Sequence, residues 1–227
     1  MSATATSRPG AGLARWATLG GVAYVVLFVI GVIVTFSGAP DTSSAPAKII
    51  AYYSDSGHRD RVNIGWLLGG LSIFFFLWFL SALRQAVRRL EGDDGFLTGV
   101  TSIGGVVYAT LTLASLAVET GLRTMSDDTY HHQVFPELIH AADDVSWVLH
   151  ASGGAGIGAM IIAASLAALR AGAVPTWAGW LGVVAGIIGL FLLVFFPWFV
   201  VGIWILVVSI GMFMRGGRAA ASPAVSG

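Results

Sequence analysis

The chain has 227 residues, of which 56% are hydrophobic and 11% are charged, whereas charged residues make up about 25% of a soluble domain. Its 12 basic and 12 acidic residues balance, so the net charge indicates neither a nucleic-acid partner nor an acidic one. The absence of cysteine excludes disulfides, thiol chemistry and Cys-ligated zinc. This composition favours an integral membrane protein.

Six long apolar segments predict six membrane-spanning helices in an all-α bundle. Each has close to the roughly 20 apolar residues that a helix needs to cross a hydrocarbon layer about 30 Å thick. The first is longer than the core of a signal peptide, so we expect it to be retained. The predicted spans are residues 16–36, 64–83, 96–118, 145–169, 177–195 and 198–214, between a polar tail at 1–15 and a disordered tail at 216–227.

The distribution of lysine and arginine predicts the orientation. If the N-terminus is cytoplasmic, the cytoplasmic segments hold 8 of the 12 basic residues and the external segments hold the other 4. Positive charge in short loops stays on the cytoplasmic side. The arginine-rich loop of residues 84–95 is the strongest determinant, and we expect both termini in the cytoplasm.

The last two spans need a break between them. Residues 177–214 are almost continuously apolar, and one helix of that length would measure about 57 Å, too long for a single crossing. Pro197 is the predicted break, because proline removes a backbone donor and clashes with the preceding turn. We expect a tight helical hairpin there, and the alternative is one long kinked helix.

Glycines spaced four residues apart predict close helix contacts. Such spacing lets two helix backbones approach where lipid provides no hydrophobic drive between them. We expect these faces to pack within the chain, with a homo-oligomer interface as the alternative. The pairs are Gly65 with Gly69, Gly154 with Gly158, and Gly182 with Gly186.

The first external loop predicts a short helix. Pro46 follows two serines, a pattern typical of a helix start. Ile49, Tyr52 and Tyr53 then suggest a helix along the interface, with its tyrosines at headgroup level. We interpret the charged residues 55–61 that follow as a solvated turn.

The second external loop, residues 119–144, carries candidate metal ligands. Glu137, His140 and Asp144 would share one face of a helix, and such ligands could hold zinc or another divalent ion that activates water for hydrolysis. The spacing matches no strong zinc motif. We favour helix capping and solvation for these residues, and a proton-linked or ligand-binding role is a further alternative. The metal candidates are His131, His132, Glu137, His140, Asp143 and Asp144.

His150 lies about 9 Å deeper in the membrane than Asp144, by helical rise. Ionisable residues at membrane depth are usually paired or functional. Glu119 and Arg123 lie at a similar depth and could be its partners. We therefore expect a hydrogen bond to a neighbouring helix, and the alternative is a functional site formed by Glu119, His140, Asp143, Asp144 and His150. The candidates for catalytic residues are Glu119, His140, Asp144 and His150.

Residues 174–186 read VPTWAGWLGVVAG. They resemble the P-x-W-x-G-W-L-G start of a late helix in multi-span actinomycete membrane proteins of unknown function. A basic residue before the first helix, Arg15, and the Ala-Tyr-Tyr segment at 51–53 are similar too. The resemblance implies six or seven helices in a bacterial cytoplasmic membrane and brings no catalytic residues.

No nucleotide-binding or esterase motif is present in the sequence. We expect a non-enzymatic membrane protein that needs no cofactor and binds a small ligand, contributes to permeation or contacts another membrane protein. Its surroundings would be the lipid bilayer, with no nucleic acid. The alternative is a membrane-embedded enzyme with an outward-facing histidine and carboxylate site, such as a metal-dependent hydrolase.

Overall fold

The computed structural model describes residues 10–41, 43–125, 133–192 and 197–221. Over these residues every regular element is an α-helix, which confirms the predicted class. The helices are α1 (Gly10–Thr18), α2 (Gly20–Phe36), α3 (Pro46–Ser54), α4 (Ser56–Glu91), α5 (Phe96–Thr124), α6 (Pro136–Arg170), α7 (Thr176–Leu190) and α8 (Trp198–Ala221).

Five helical segments in the described ranges are long and apolar enough to cross a membrane. They are α1 with α2, then α4, α5, α6 and α8, so the protein has the helices of a multi-pass membrane protein. The predicted fifth span falls on α7, which is apolar but has only 15 residues. That corresponds to about 22 Å, shorter than the hydrocarbon layer.

The helices extend beyond the predicted spans. Helix α4 has 36 residues and starts at Ser56, where the Asp55 carboxylate accepts a hydrogen bond of 3.2 Å from the His58 amide. This N-cap satisfies a backbone donor that would otherwise lack a partner. The prediction of a charged turn at residues 55–61 is therefore wrong. Helix α8 continues to Ala221, into the predicted disordered tail.

Glycines allow neighbouring helices to pack backbone against backbone. A Cβ built on Gly104 of α5 would lie 2.5 Å from the carbonyl oxygen of Gly156 of α6, and the reverse substitution gives the same distance. A Cβ on Gly158 would lie 2.7 Å from the carbonyl oxygen of Gly186 of α7. The predicted glycine pairs all face other helices of this chain: Gly65, Gly69, Gly154, Gly158, Gly182 and Gly186.

Helices α7 and α8 form an antiparallel pair. A Cβ on Gly182, early in α7, would lie 3.1 Å from the Trp204 indole nitrogen, and one on Gly189 would lie 3.5 Å from a Val201 methyl group. Gly189 and Val201 lie nearer the turn, whereas Gly182 and Trp204 lie farther from it, so the two helices run in opposite directions. The chain thus turns back between two separate helices, as the hairpin prediction requires, and one long kinked helix is wrong. The predicted break at Pro197 is placed too late, because α7 already ends at Leu190. The connecting residues 193–196 lie outside the described ranges.

Both ends of the described chain meet at one end of the bundle. The Arg15 guanidinium lies 4.4 Å from the centroid of the Phe213 ring, and the Ser209 hydroxyl donates to the Thr18 carbonyl. Arg215 also donates to the carbonyl of Ala173, between α6 and α7, at 2.9 Å. We call this end the terminal face and the other end, which carries α3, the distal face.

Aromatic side chains fill the centre of the bundle. Tyr24, Phe76 and Tyr108 are fully buried, and the two tyrosine hydroxyls are hydrogen-bonded at 2.5 Å. Phe28 stacks on Trp198 with ring centroids 4.7 Å apart. This packed layer forms the floor beneath the site described next.

Candidate functional site

A cavity of about 540 Å³ lies between α2, α4, α5 and α6 and reaches the distal face. Apolar and aromatic side chains make up much of its wall, including Phe28, Val32, Trp66 and Leu116. Its titratable lining residues are Asp41, Glu119, Arg123, Asp143, Asp144 and His150. Four of these are site residues or metal candidates predicted from the sequence.

Arg123 is the centre of the polar cluster and is only 3% exposed. Its guanidinium donates to the Tyr53 hydroxyl of α3 and to the Asp143 carboxylate of α6. Glu119 lies one turn earlier on α5, with its Oε1 3.7 Å from Arg123 Nε. Residues four apart share a helix face, which places both side chains in the cavity wall. One cation thus joins three helices.

Helix α3 is held over this cluster by apolar packing. Ile49 and Tyr53 of α3 form a small core with Val62 of α4 and Ile139 of α6. Arg59 donates to the Tyr53 carbonyl at 2.8 Å. Burial raises the pKa of the Tyr53 phenol, and the nearby charge of Arg123 only partly opposes this effect. The phenol therefore stays protonated at neutral pH.

Four polar atoms of the cavity-lining residues are buried and have no hydrogen-bond partner within the described part of the chain. Buried polar groups are nearly always hydrogen-bonded, because leaving one unpaired costs about 1–3 kcal/mol. Two of the four, Glu119 Oε1 and Arg123 Nε, lie 3.7 Å from each other. The atoms are Thr112 Oγ1, Glu119 Oε1, Arg123 Nε and His150 Nε2.

His150 lies at the floor of the cavity. Its ring stacks on Phe28 at a centroid distance of 5.8 Å and meets the edge of Tyr108 at 6.0 Å. The predicted hydrogen bond to a neighbouring helix is not made by Nε2, which has no partner among the described residues. Arg123, a predicted partner of His150, pairs with Asp143 instead.

Asp41 lies at the mouth of the cavity, in the loop between α2 and α3. Its carboxylate accepts hydrogen bonds from the Ser43 hydroxyl at 2.9 Å and from the Ser44 hydroxyl at 3.0 Å. These bonds lower the pKa of this exposed carboxyl. The mouth therefore carries a negative charge over the whole physiological range.

The predicted metal ligands divide into three groups. Asp143 and Asp144 line the cavity, Glu137 and His140 are not among its lining residues, and His131 and His132 fall outside the described ranges. Within those ranges no three His, Asp or Glu residues form a group that could hold a metal ion. The metal site stays a prediction.

Several residues of the site carried no recognisable signal in the sequence. Tyr53 reads as an interfacial tyrosine, and Phe28 and Thr35 read as ordinary residues of a first span. Arg123 is identified only as a possible partner of His150, on the ground that ionisable residues at membrane depth are usually paired. Its partners come from α3 and α6, which no local pattern predicts.

Comparison with protein families, curated proteins and solved structures finds no match to this chain. The resemblance in residues 174–186 therefore stays a prediction. The site must be interpreted from its own geometry and chemistry.

Proposed function

We propose that this is a non-enzymatic membrane protein that binds a small organic cation in the distal cavity. The observation that carries the proposal is Glu119, a cavity-lining carboxylate that is 12% exposed and whose Oε1 accepts no hydrogen bond from the described residues. Its ion pair with Arg123 is long, at 3.7 Å, because that guanidinium donates directly to Asp143. A buried carboxylate that shares its nearest cation with a second carboxylate is only partly compensated, and an added cation would offset the remaining cost.

The charge balance of the cavity supports a cationic ligand. Its lining residues include four carboxylates but only one guanidinium, that of Arg123. Asp143 neutralises Arg123 directly. Glu119 in the cavity wall, and the exposed Asp144 and Asp41 that border the cavity, then leave an excess of negative charge that attracts cations and repels anions.

The size and walls of the cavity support a compact ligand with apolar substituents. Cavities of about 300–1,000 Å³ that are mostly apolar, with a few convergent polar groups, are typical of small-molecule sites. The aromatic rings of Phe28, Phe36 and Trp66 line this one. Such rings attract ammonium groups through their faces and contact the apolar substituents.

The proposal includes a topology of six crossings with both termini cytoplasmic, in a bacterial plasma membrane. Two features support it: the chain ends meet at the terminal face, and Arg84, Arg88 and Arg89 lie at the last turns of α4. An even number of crossings places both ends on one side, and basic residues favour the cytoplasm. The cavity then opens outward.

Phenyltrimethylammonium and its neutral isostere tert-butylbenzene form a matched pair of probes. We expect the purified protein in nanodiscs to bind the cation by calorimetry and to discriminate against the isostere. Glu119→Gln should weaken binding of the cation by about tenfold or more, because a charge-assisted contact is lost. Glu137→Gln, a change at an exposed carboxylate outside the cavity lining, should leave the affinity unchanged.

Equal affinity for the two probes would contradict a cation site. An unchanged affinity in Glu119→Gln would contradict the role of this carboxylate. Thermal unfolding of both variants provides the folding control, since a change in binding with an unchanged transition locates the effect in the site.

A further inference from the structure

A second cavity, of about 690 Å³, lies between the end of α4 and the start of α5. Its α4 wall carries Arg84, Arg88 and Arg89, and its α5 wall includes Ser102 and Ile103. It is independent of the distal cavity, because the two share no lining residue. Nothing in the proposed cation site uses these arginines.

The arginines of this cavity are not neutralised by the described part of the chain. None of the three forms an ion pair there. Glu91, the nearest acidic residue on α4, instead accepts hydrogen bonds from the amides of Leu97 and Thr98 at 2.6 and 2.8 Å. This carboxylate therefore caps α5. Asp93 is the one carboxylate among the lining residues, which leaves an excess of two positive charges.

An apolar surface continues from the arginines along the two helices. Ile103 borders the cavity and is 68% exposed, and Val107 follows it one turn later on α5. On α4, Leu77 lies two turns before Arg84 and is also exposed. At Gly99 a built Cβ would meet nothing within 4 Å, so the space between the helices is open. A charged end is thus joined to an apolar groove.

We propose that this cavity binds the headgroup of an anionic phospholipid, with the acyl chains lying along the groove. Guanidinium groups bind phosphate oxygens through paired hydrogen bonds. Basic pockets between transmembrane helices are suited to anionic headgroups. A soluble phosphate would use the arginines alone, whereas a lipid also covers Ile103, Val107 and Leu77. The continuity of the two surfaces favours the lipid.

Native mass spectrometry with equal amounts of phosphatidylglycerol and phosphatidylcholine tests this inference. We expect preferential adducts with phosphatidylglycerol that excess inorganic phosphate does not remove. Replacing all three arginines with glutamine should reduce the preference by about a hundredfold, since each charge contributes on the order of fivefold. Arg61→Gln, an exposed arginine at the other end of α4, should retain the preference.

Replacing the three arginines with lysine keeps the charge but loses the paired guanidinium hydrogen bonds, so the preference should fall between those of the wild type and the glutamine variant. An equal preference in the glutamine variant would overturn the proposal. Displacement of the lipid by inorganic phosphate would also overturn it, because the cavity would then be a site for free anions. Thermal unfolding is the folding control for these variants.

Discussion

Arg123 shows how a single buried cation can organise a site in a bundle with few charges. Its guanidinium donates to the Tyr53 hydroxyl on α3 and to the Asp143 carboxylate on α6. The guanidinium carbon also lies 5.3 Å from the centroid of the Phe36 ring. Tyr53 accepts from one terminal nitrogen of the guanidinium and Asp143 accepts from the other, which fixes its orientation. Glu119 is left close by, without a hydrogen bond at Oε1 from the described residues. Asp143 thus makes the direct ion pair with Arg123, and Glu119 makes the longer one at 3.7 Å.

Removing either partner of Arg123 should destabilise the protein to different degrees. Asp143→Asn leaves a buried guanidinium without its direct counter-ion and should cost about 3 kcal/mol. Tyr53→Phe removes one neutral acceptor and should cost about 1–2 kcal/mol. In detergent, the unfolding temperature should be highest for the wild type, lower for Tyr53→Phe and lowest for Asp143→Asn. Ser81→Ala, at an exposed hydroxyl of α4, is the control.

The double replacement Arg123→Met with Asp143→Leu tests the same ion pair. Apolar side chains of similar size avoid the cost of burying two charges, so in a Glu119→Gln background, where no carboxylate loses its cation, the double variant should recover much of the stability lost in Asp143→Asn. If the double variant were the less stable of the two, the pair would be a net source of stability, contrary to this expectation.

The sequence supports prediction of the site only in part. Glu119 and His150 are identifiable because ionisable residues within apolar segments are rarely idle. Tyr53 is not, because its partner Arg123 lies 70 residues away and the contact depends on how α3 folds back over the bundle. The cavity itself depends on Phe28 and Thr35, which differ in no local pattern from their neighbours on α2.

At the scale of elements, the contact between α5 and α6 depends on reciprocal glycines. Gly104 and Gly156 face each other, and both neighbouring surfaces are backbone rather than flexible side chains. This contact sets the separation of the helices that carry Glu119 and Asp143. Glycine spacing could predict such contacts, but the partner of each glycine depends on the order in which the helices pack.

Gly104→Ala should therefore destabilise the bundle. The added methyl would lie 2.5 Å from the Gly156 carbonyl oxygen and 2.9 Å from the Met160 amide nitrogen, and overpacking of this kind costs about 1–3 kcal/mol. Gly121→Ala on the same helix meets nothing within 4 Å and should stabilise α5 slightly, since alanine is the better helix former. Thermal unfolding of the two variants measures the difference.

The unfolding temperature should fall in Gly104→Ala and rise slightly in Gly121→Ala. A Gly104→Ala protein as stable as the wild type would mean that α5 and α6 separate at little cost. Binding of phenyltrimethylammonium to that variant would then show whether the distal cavity tolerates the wider spacing.

The lengths of the elements were predicted less well than their existence. Hydropathy marks residues 64–83 as the second span, but α4 adds polar turns at both ends, capped by Asp55 and ended at Gly92 with φ of +71°. These polar helical turns carry little free-energy cost outside a lipid layer. A search for apolar segments does not detect them, because their residues are polar. Helix α7 differs in the opposite sense, since it ends at Leu190 within the apolar run.

At the scale of the whole molecule, the meeting of the chain ends constrains the route of the chain through the membrane. The hairpin of α7 and α8 starts near Ala173 and returns to Arg215, whose guanidinium bonds the Ala173 carbonyl. The hairpin therefore begins and ends at the terminal face. Helix α7 is short for a full crossing, so the position of the hairpin tip relative to the membrane surface decides the number of crossings.

Labelling of single-cysteine variants in intact cells tests this topology, because the natural chain has no cysteine. We expect a membrane-impermeant maleimide to label Glu137→Cys at the distal face directly, and Asp94→Cys and Thr176→Cys only after the cells are permeabilised. Phe199→Cys, at the start of α8, should be labelled from outside if α7 completes its crossing. If position 199 is protected while position 137 is labelled, the hairpin tip lies within the lipid and the chain makes only four full crossings. If position 94 is labelled directly, the orientation is reversed and the cation cavity lies on the cytoplasmic side.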